Sequence, residues 1–140
     1  MIPSYKKVLI IGTGPGLSAS FARQAREAGM DVALAARNTD KLADLATETS
    51  ASVHECDATS ADSIAALFEE VDANGPADVM VYNPSGRVHG SVADLDGAAV
   101  EKAVQLTALG GFHAAQQAAR RMVPNGHGAM LFTGATASVK

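Results

Sequence analysis

The sequence is poor in the features that would place it among secreted, membrane, metal or nucleic-acid proteins. Cysteine occurs once, at Cys56, so no disulfide can form within the chain and a disulfide-stapled secreted framework is excluded. A reducing, cytoplasmic setting is the expectation. Basic charge is not in excess: 11 Lys and Arg stand against 15 Asp and Glu, for a formal net charge of -4. Such a chain offers no positive field to a phosphate polymer or an anionic membrane. Long apolar runs are lacking too. Residues 1–7 carry Ser4, Lys6 and Lys7, and the apolar run after them is broken at Gly12, so neither a signal peptide nor a membrane span is expected. The four histidines, His54, His89, His113 and His127, show no ligand spacing to one another or to Cys56, so no metal site is expected.

What is there alternates. Residues 8–11 are uninterrupted apolar, and Gly12, Gly14 and Gly16 come at once after them, the pattern of a buried parallel strand running into a tight turn. Residues 17–28 set Leu17, Phe21, Ala25 and Ala28 at helical spacing against Arg23, Gln24, Arg26 and Glu27, with Gly29 as the stop. The spacing then predicts a strand over 32–36, a helix over 41–49 opening near Thr39 or Asp40, and a strand over 51–56. A helix over 60–73 closed by Asn74-Gly75-Pro76 comes next, then a strand over 78–82. After a loop over 84–91 come one long helix over 98–122, with Val100, Val104 and Ala108 in phase, and a strand over 129–133.

Strands separated by helices of this length mean right-handed crossovers and a parallel sheet. The expected architecture is one α/β, doubly wound Rossmann domain over residues 1–140, strand order 3-2-1-4-5, with its ligand crevice over the carboxyl ends of the first and fourth strands. The fifth strand, with Met130, Leu131 and Phe132, would be an apolar sheet edge. Folded proteins cover such edges, so further strands and helices are expected beyond Lys140.

Three places carry chemistry. Gly12-Thr13-Gly14-Pro15-Gly16 lies between a buried strand and an amphipathic helix, where glycines let the backbone approach a pyrophosphate held by free N–H groups at the helix start, Leu17 and Ser18 included. A connector that only needs to turn would use the same glycines. No Lys comes after them, which excludes a Walker A loop, and the loop is neither the hydroxyl-rich turn of a flavodoxin nor the acid cluster of a receiver domain. Arg37 ends the second strand, where an acidic residue would take the ribose 2′-hydroxyl of NAD. A guanidinium there pairs with a 2′-phosphate and stacks on adenine, which favours NADP(H) over NAD(H); a solvated arginine beside Asp40 is the plain alternative. Asp57-Ala58 comes after the third strand, with Asp57 placed either to meet the adenine amino group or to cap the next helix.

On these residues the chain resembles the short-chain dehydrogenases/reductases over its full length. The family's first loop reads TGxxxGxG; here it is Ile11-Gly12-Thr13-Gly14-Pro15-Gly16-Leu17-Ser18, with Ile11 for the threonine and Ser18 for the last glycine. The family's NNAG, at the end of strand four, becomes Tyr82-Asn83-Pro84-Ser85-Gly86, in which only Asn83 matches. The resemblance implies that Asn83 steadies the central sheet and that Pro84 and Ser85 border the nicotinamide ribose.

The family's catalytic groups are a YxxxK pair, a Ser ending strand five and an Asn in the long helix. Thr107 stands at the Asn position, and Gly134 or Ala135 at the Ser position, leaving Thr133, Thr136 and Ser138 as the nearby hydroxyls, with Thr133 and Thr136 the candidate substitutes. The YxxxK segment would fall after Lys140. The implied activity is hydride transfer between NADP(H) and a small alcohol or carbonyl compound. A non-catalytic NADP-binding sensor or scaffold is the alternative. The resemblance also implies a homodimer or homotetramer through the 98–122 helix, whose Ala114, Ala115, Ala118 and Ala119 form a small-residue face, to be buried against the part of the chain not yet seen.

Overall fold

The structure, a computed structural model, describes residues 4–135. Five parallel strands lie in the order β3-β2-β1-β4-β5: β1 (Lys7–Ile11), β2 (Asp31–Ala36), β3 (Ser52–Glu55), β4 (Val79–Tyr82) and β5 (Ala129–Phe132). The register pairs Val8 with Val32 on one side and Val79 on the other, and Val79 in turn with Ala129. The helices are α1 (Leu17–Glu27), α2 (Ala43–Thr49) entered through a single 3-10 turn (Asp40–Leu42), α3 (Ala61–Asp72), α4 (Gly97–Val104) and α5 (Gly110–Asn125). Among the described residues no helix is long and apolar enough to cross a membrane.

Alternation along the central strands builds two cores. Leu9, Ile11, Ala33, Ala35, Met80 and Tyr82 point to one face and pack under α3 and α5 against Ile64, Leu67, Phe68, Ala114, Ala118 and Met122. Val8, Ile10, Val32, Leu34, Val79 and Val81 point to the other, under α1 and α2, against Ala19, Ala22, Ala25, Leu42 and Leu45. Strands apolar on both faces are what a helix-covered parallel sheet requires.

Four readings of the sequence need correction. The buried face of α1 is Ser18, Ala19, Ala22 and Ala25, while Leu17 and Ala28 are exposed, Leu17 by 62%. The turn out of β1 sets the phase of the helix, and small side chains let it lie close to the sheet. The 98–122 helix is not one α-helix: α4 and α5 are joined by a π turn (Gln105–Leu109), and the segment runs on to Asn125. Val100, Val104 and Ala108 face solvent rather than the core. Ala114 and Ala118 are buried within this chain, under β4 and beside α3, rather than awaiting another part of it.

The two sheet edges differ. Strand β3 exposes Ser52 and Glu55, polar groups that discourage pairing, whereas Met130, Leu131 and Phe132 of β5 are 40 to 51% exposed.

Candidate functional site

At the carboxyl ends of the strands, beside the first loop, a cleft of about 550 Å³ opens. Gly12 starts the loop at φ +80°, where a side chain is strained, and its N–H and that of Thr13 both donate to the Ala35 carbonyl at 3.0 Å. The Thr13 hydroxyl turns inward, to the Ile10 carbonyl at 3.0 Å. These two residues therefore fasten the loop to the sheet. A β-carbon on Gly14 or Gly16 would meet nothing within 4 Å, so both stand under open space.

Helix α1 begins without a cap. Gly16 has no side chain to accept from the first turn, no acidic residue lies in that turn, and among the described residues the N–H groups of Gly14, Leu17 and Ser18 meet no protein acceptor. Free donors together with the positive end of the helix dipole are the features that suit an anion. A dinucleotide's diphosphate fits this helix start on three counts: unsatisfied donors, side-chain-free backbone, and room.

The cleft gathers Gly12, Thr13, Gly14 and Pro15 from the loop, Arg37 from the end of β2, Ala58 after β3, and Pro84 and Ser85 after β4. Among the described residues Arg37 forms no ion pair, with Asp40 or any other acid, and its charge is felt at Asp57. Lys41 and the Arg23–Glu48 pair (2.8 Å) line the same cleft beyond it. Gly16, Leu17, Asp57 and Asn83 do not line it. Leu17 and Asn83 border a smaller apolar hollow of about 210 Å³ on the α1 side of β4 and β5, which also takes in Thr133.

Asp57 does not cap α3. That cap is Ser60, whose hydroxyl accepts from the Ser63 N–H at 3.1 Å. Asp57 instead accepts from the hydroxyl and N–H of Thr59, at 2.7 and 2.9 Å, and these bonds hold its carboxyl below the usual range. Cys56, beside it, is buried in the cleft floor, and burial pushes its thiol up.

Asn83 acts through a residue whose side chain carries no signal in the sequence taken alone. Its amide donates to the Ser18 hydroxyl at 2.7 Å, and Ser18 donates to the Gly12 carbonyl at 3.2 Å. Where the family has its third glycine, this chain has a hydroxyl that bridges β4 to the loop. The departure from the motif is the one trace of it.

Of the candidate catalytic hydroxyls, Thr107 and Thr133 lie among the described residues. Thr107 sits on the π turn with its proton given to the Ala103 carbonyl at 2.5 Å, so it can only accept. Thr133 extends the β5 ladder through its N–H to the Tyr82 carbonyl at 3.2 Å and is exposed. Thr136 and Ser138 lie outside the described residues. Among the described residues no three His, Cys, Asp or Glu side chains converge as a metal site.

A parallel sheet wound 3-2-1-4-5, with a glycine turn at the head of an uncapped helix, defines the dinucleotide-binding class of α/β folds. Within that class the chain belongs to the short chain dehydrogenase family, whose model matches residues 6–140. It is 31% identical over 134 residues to (+)-borneol dehydrogenase 1 of Salvia officinalis, covering 91% of this chain and 51% of that protein. Among solved structures, a short-chain type dehydrogenase/reductase from Mycobacterium marinum superposes with a TM-score of 0.90 at 28% identity, over 96% of this chain and 57% of that one. A metagenomic short-chain oxidoreductase in complex with NADP superposes at 0.89 with 25% identity, over 94% of this chain and 63% of that one. The chain thus spans about half the length of the curated relatives it matches.

Proposed function

We propose that this chain is the nucleotide-binding part of an NADP(H)-dependent oxidoreductase that moves a hydride between the cofactor and the carbinol or carbonyl carbon of a small molecule. One observation carries the reading: an uncapped α1, open above Gly14 and Gly16, heads a cleft in which Arg37 has no acidic partner among the described residues. The backbone N–H groups at Gly14, Leu17 and Ser18 would hold the diphosphate, and Arg37, with Lys41 nearby, the 2′-phosphate. Ala58 would pack beside the adenine, and Pro84 and Ser85 would border the ribose nearer the nicotinamide. When bound, the nicotinamide supplies or accepts the hydride.

The acid/base pair of the reaction belongs, on this reading, to the part of the protein after Lys140, with Thr133 and Thr136 the hydroxyls of this chain offered to the substrate oxygen. The reading extends to a cytoplasmic protein that pairs with a second copy through α4, the π turn and α5, which expose Val104, Leu109 and Phe112.

Calorimetry on the whole protein tests it. NADPH binds more tightly than NADH, and Arg37→Asp reverses that order. Equal affinities for the two nucleotides, before and after the substitution, would remove NADP from the proposal. Binding without turnover on a panel of carbonyl compounds would shift it to a sensor or scaffold.

A further inference from the structure

The π turn between α4 and α5 is fastened from outside the helix. The Tyr82 hydroxyl donates to the Leu106 carbonyl, and the Gln105 side-chain amide donates to the Thr59 carbonyl at 3.0 Å. Gly110 makes the first contact feasible, since a β-carbon there would collide with the Tyr82 hydroxyl and the Ala58 carbonyl. Tyr82 is 3% exposed at the end of β4, its ring 6.2 Å from that of Phe132. Burial pushes its pKa up to about 12, so the hydroxyl keeps its proton at working pH.

One residue inserted into an α-helix rotates everything before it by roughly 100° relative to everything after it. Helix α5 cannot take up that rotation, because Ala114, Ala118 and Met122 are locked into the core. The change of phase therefore falls on α4 and the π turn, and Leu106 is the residue of that turn that joins Cys56 and Ala58 in lining the cleft.

We propose that Tyr82 is a positioning residue for the cleft: by holding the Leu106 carbonyl, its hydroxyl selects the helix register in which Leu106 forms part of the nucleotide-binding wall. The inference rests on the nucleotide reading of the cleft. Tyr82 occupies a position where the family motif has asparagine, so the strap belongs to this chain's departure from the pattern.

Two measurements on the whole protein test it. Tyr82→Phe keeps the ring and removes the hydroxyl, and NADPH affinity falls on the order of fivefold. Leu106→Ala also weakens binding, and the double variant binds no more weakly than Leu106→Ala alone, because the strap acts only through that wall. Additive losses, or wild-type affinity in Tyr82→Phe, overturn the proposal. Hydrogen exchange in the ligand-free protein is the second arm. In Tyr82→Phe, amides over 104–112 exchange faster while those over β1 and α1 keep their rates. Unchanged exchange over 104–112 refutes the strap. If the wild-type protein binds no adenine nucleotide, the reading of the cleft fails, and the exchange arm still decides whether Tyr82 sets the register.

Discussion

Pro84 stands against Gly12: a β-carbon built on Gly12 would lie 2.6 Å from the Pro84 nitrogen and 2.7 Å from its Cδ. The exit of β4 thus closes over the glycine turn at the end of β1, and the two lips of the cleft are set by one contact. At φ +80° Gly12 is also in a conformation that resists a side chain. Gly12→Ala therefore loses about 2 to 4 kcal/mol of stability. Gly14→Ala, whose added methyl meets nothing, stays within about 0.5 kcal/mol in urea titration yet loses NADPH affinity by on the order of tenfold. If both substitutions harmed stability alike, the division between a folding glycine and a ligand glycine would be wrong.

The bridge from Asn83 through Ser18 to Gly12 makes a second prediction. Ser18→Ala strands the Asn83 amide and the Gly12 carbonyl in a site where Ser18 is fully buried, at a cost of about 1 to 3 kcal/mol. Because the three groups act as a chain, adding Asn83→Ala to Ser18→Ala costs little more. Independent, summing losses in chemical denaturation would show that no bridge exists.

Asp57 gives the loop after β3 a pH dependence of definite sign. Its carboxyl is held below the usual range by the Thr59 hydroxyl and N–H, so the unfolded chain takes up the proton first as pH falls. The stability advantage of wild type over Asp57→Asn is therefore full above the unfolded carboxyl's pKa of about 3.9. It is lost as pH drops through the lower, folded value. Urea midpoints of both proteins at pH 7, 5 and 3 check this, and an advantage already shrinking between pH 7 and 5 would contradict it.

Cys56 is buried in the cleft floor, with its thiol raised by burial. A disulfide reagent attacks the thiolate, so the folded protein reacts on the order of tenfold or more slowly than the urea-unfolded chain. NADPH slows it further by covering the cleft. Labelling that ignores the nucleotide would place the ligand elsewhere.

Much of this was legible in the residues, for identifiable reasons. Uninterrupted apolar runs such as Val8 to Ile11 and Val79 to Tyr82 mark strands covered by helices on both faces, and the usual order of a doubly wound sheet arranged them 3-2-1-4-5. The glycine loop was readable because flanking strand and helix constrain what lies between. Contacts that depend on helix phase were not. Leu17 looked like the start of a buried stripe but stands exposed, because the turn, not the periodicity, sets where α1 begins its rotation. Nothing local announces the π turn: Gln105 to Leu109 are ordinary helix formers apart from Thr107, and what supports their widened ladder is a tyrosine more than twenty residues earlier in the chain. Asp57 and Ser60 are both good caps, and only the path of the loop chose between them.

The uncapped start of α1 ties the protein's heat resistance to the salts around it. With donors waiting at Leu17 and Ser18, sulfate or inorganic phosphate can lodge where a dinucleotide's phosphates would, so a preparation kept in phosphate buffer should melt higher than the same sample in chloride at equal ionic strength. Buffer choice then acts as a competitor at the same seat, and an affinity for nucleotide measured in phosphate would come out too weak.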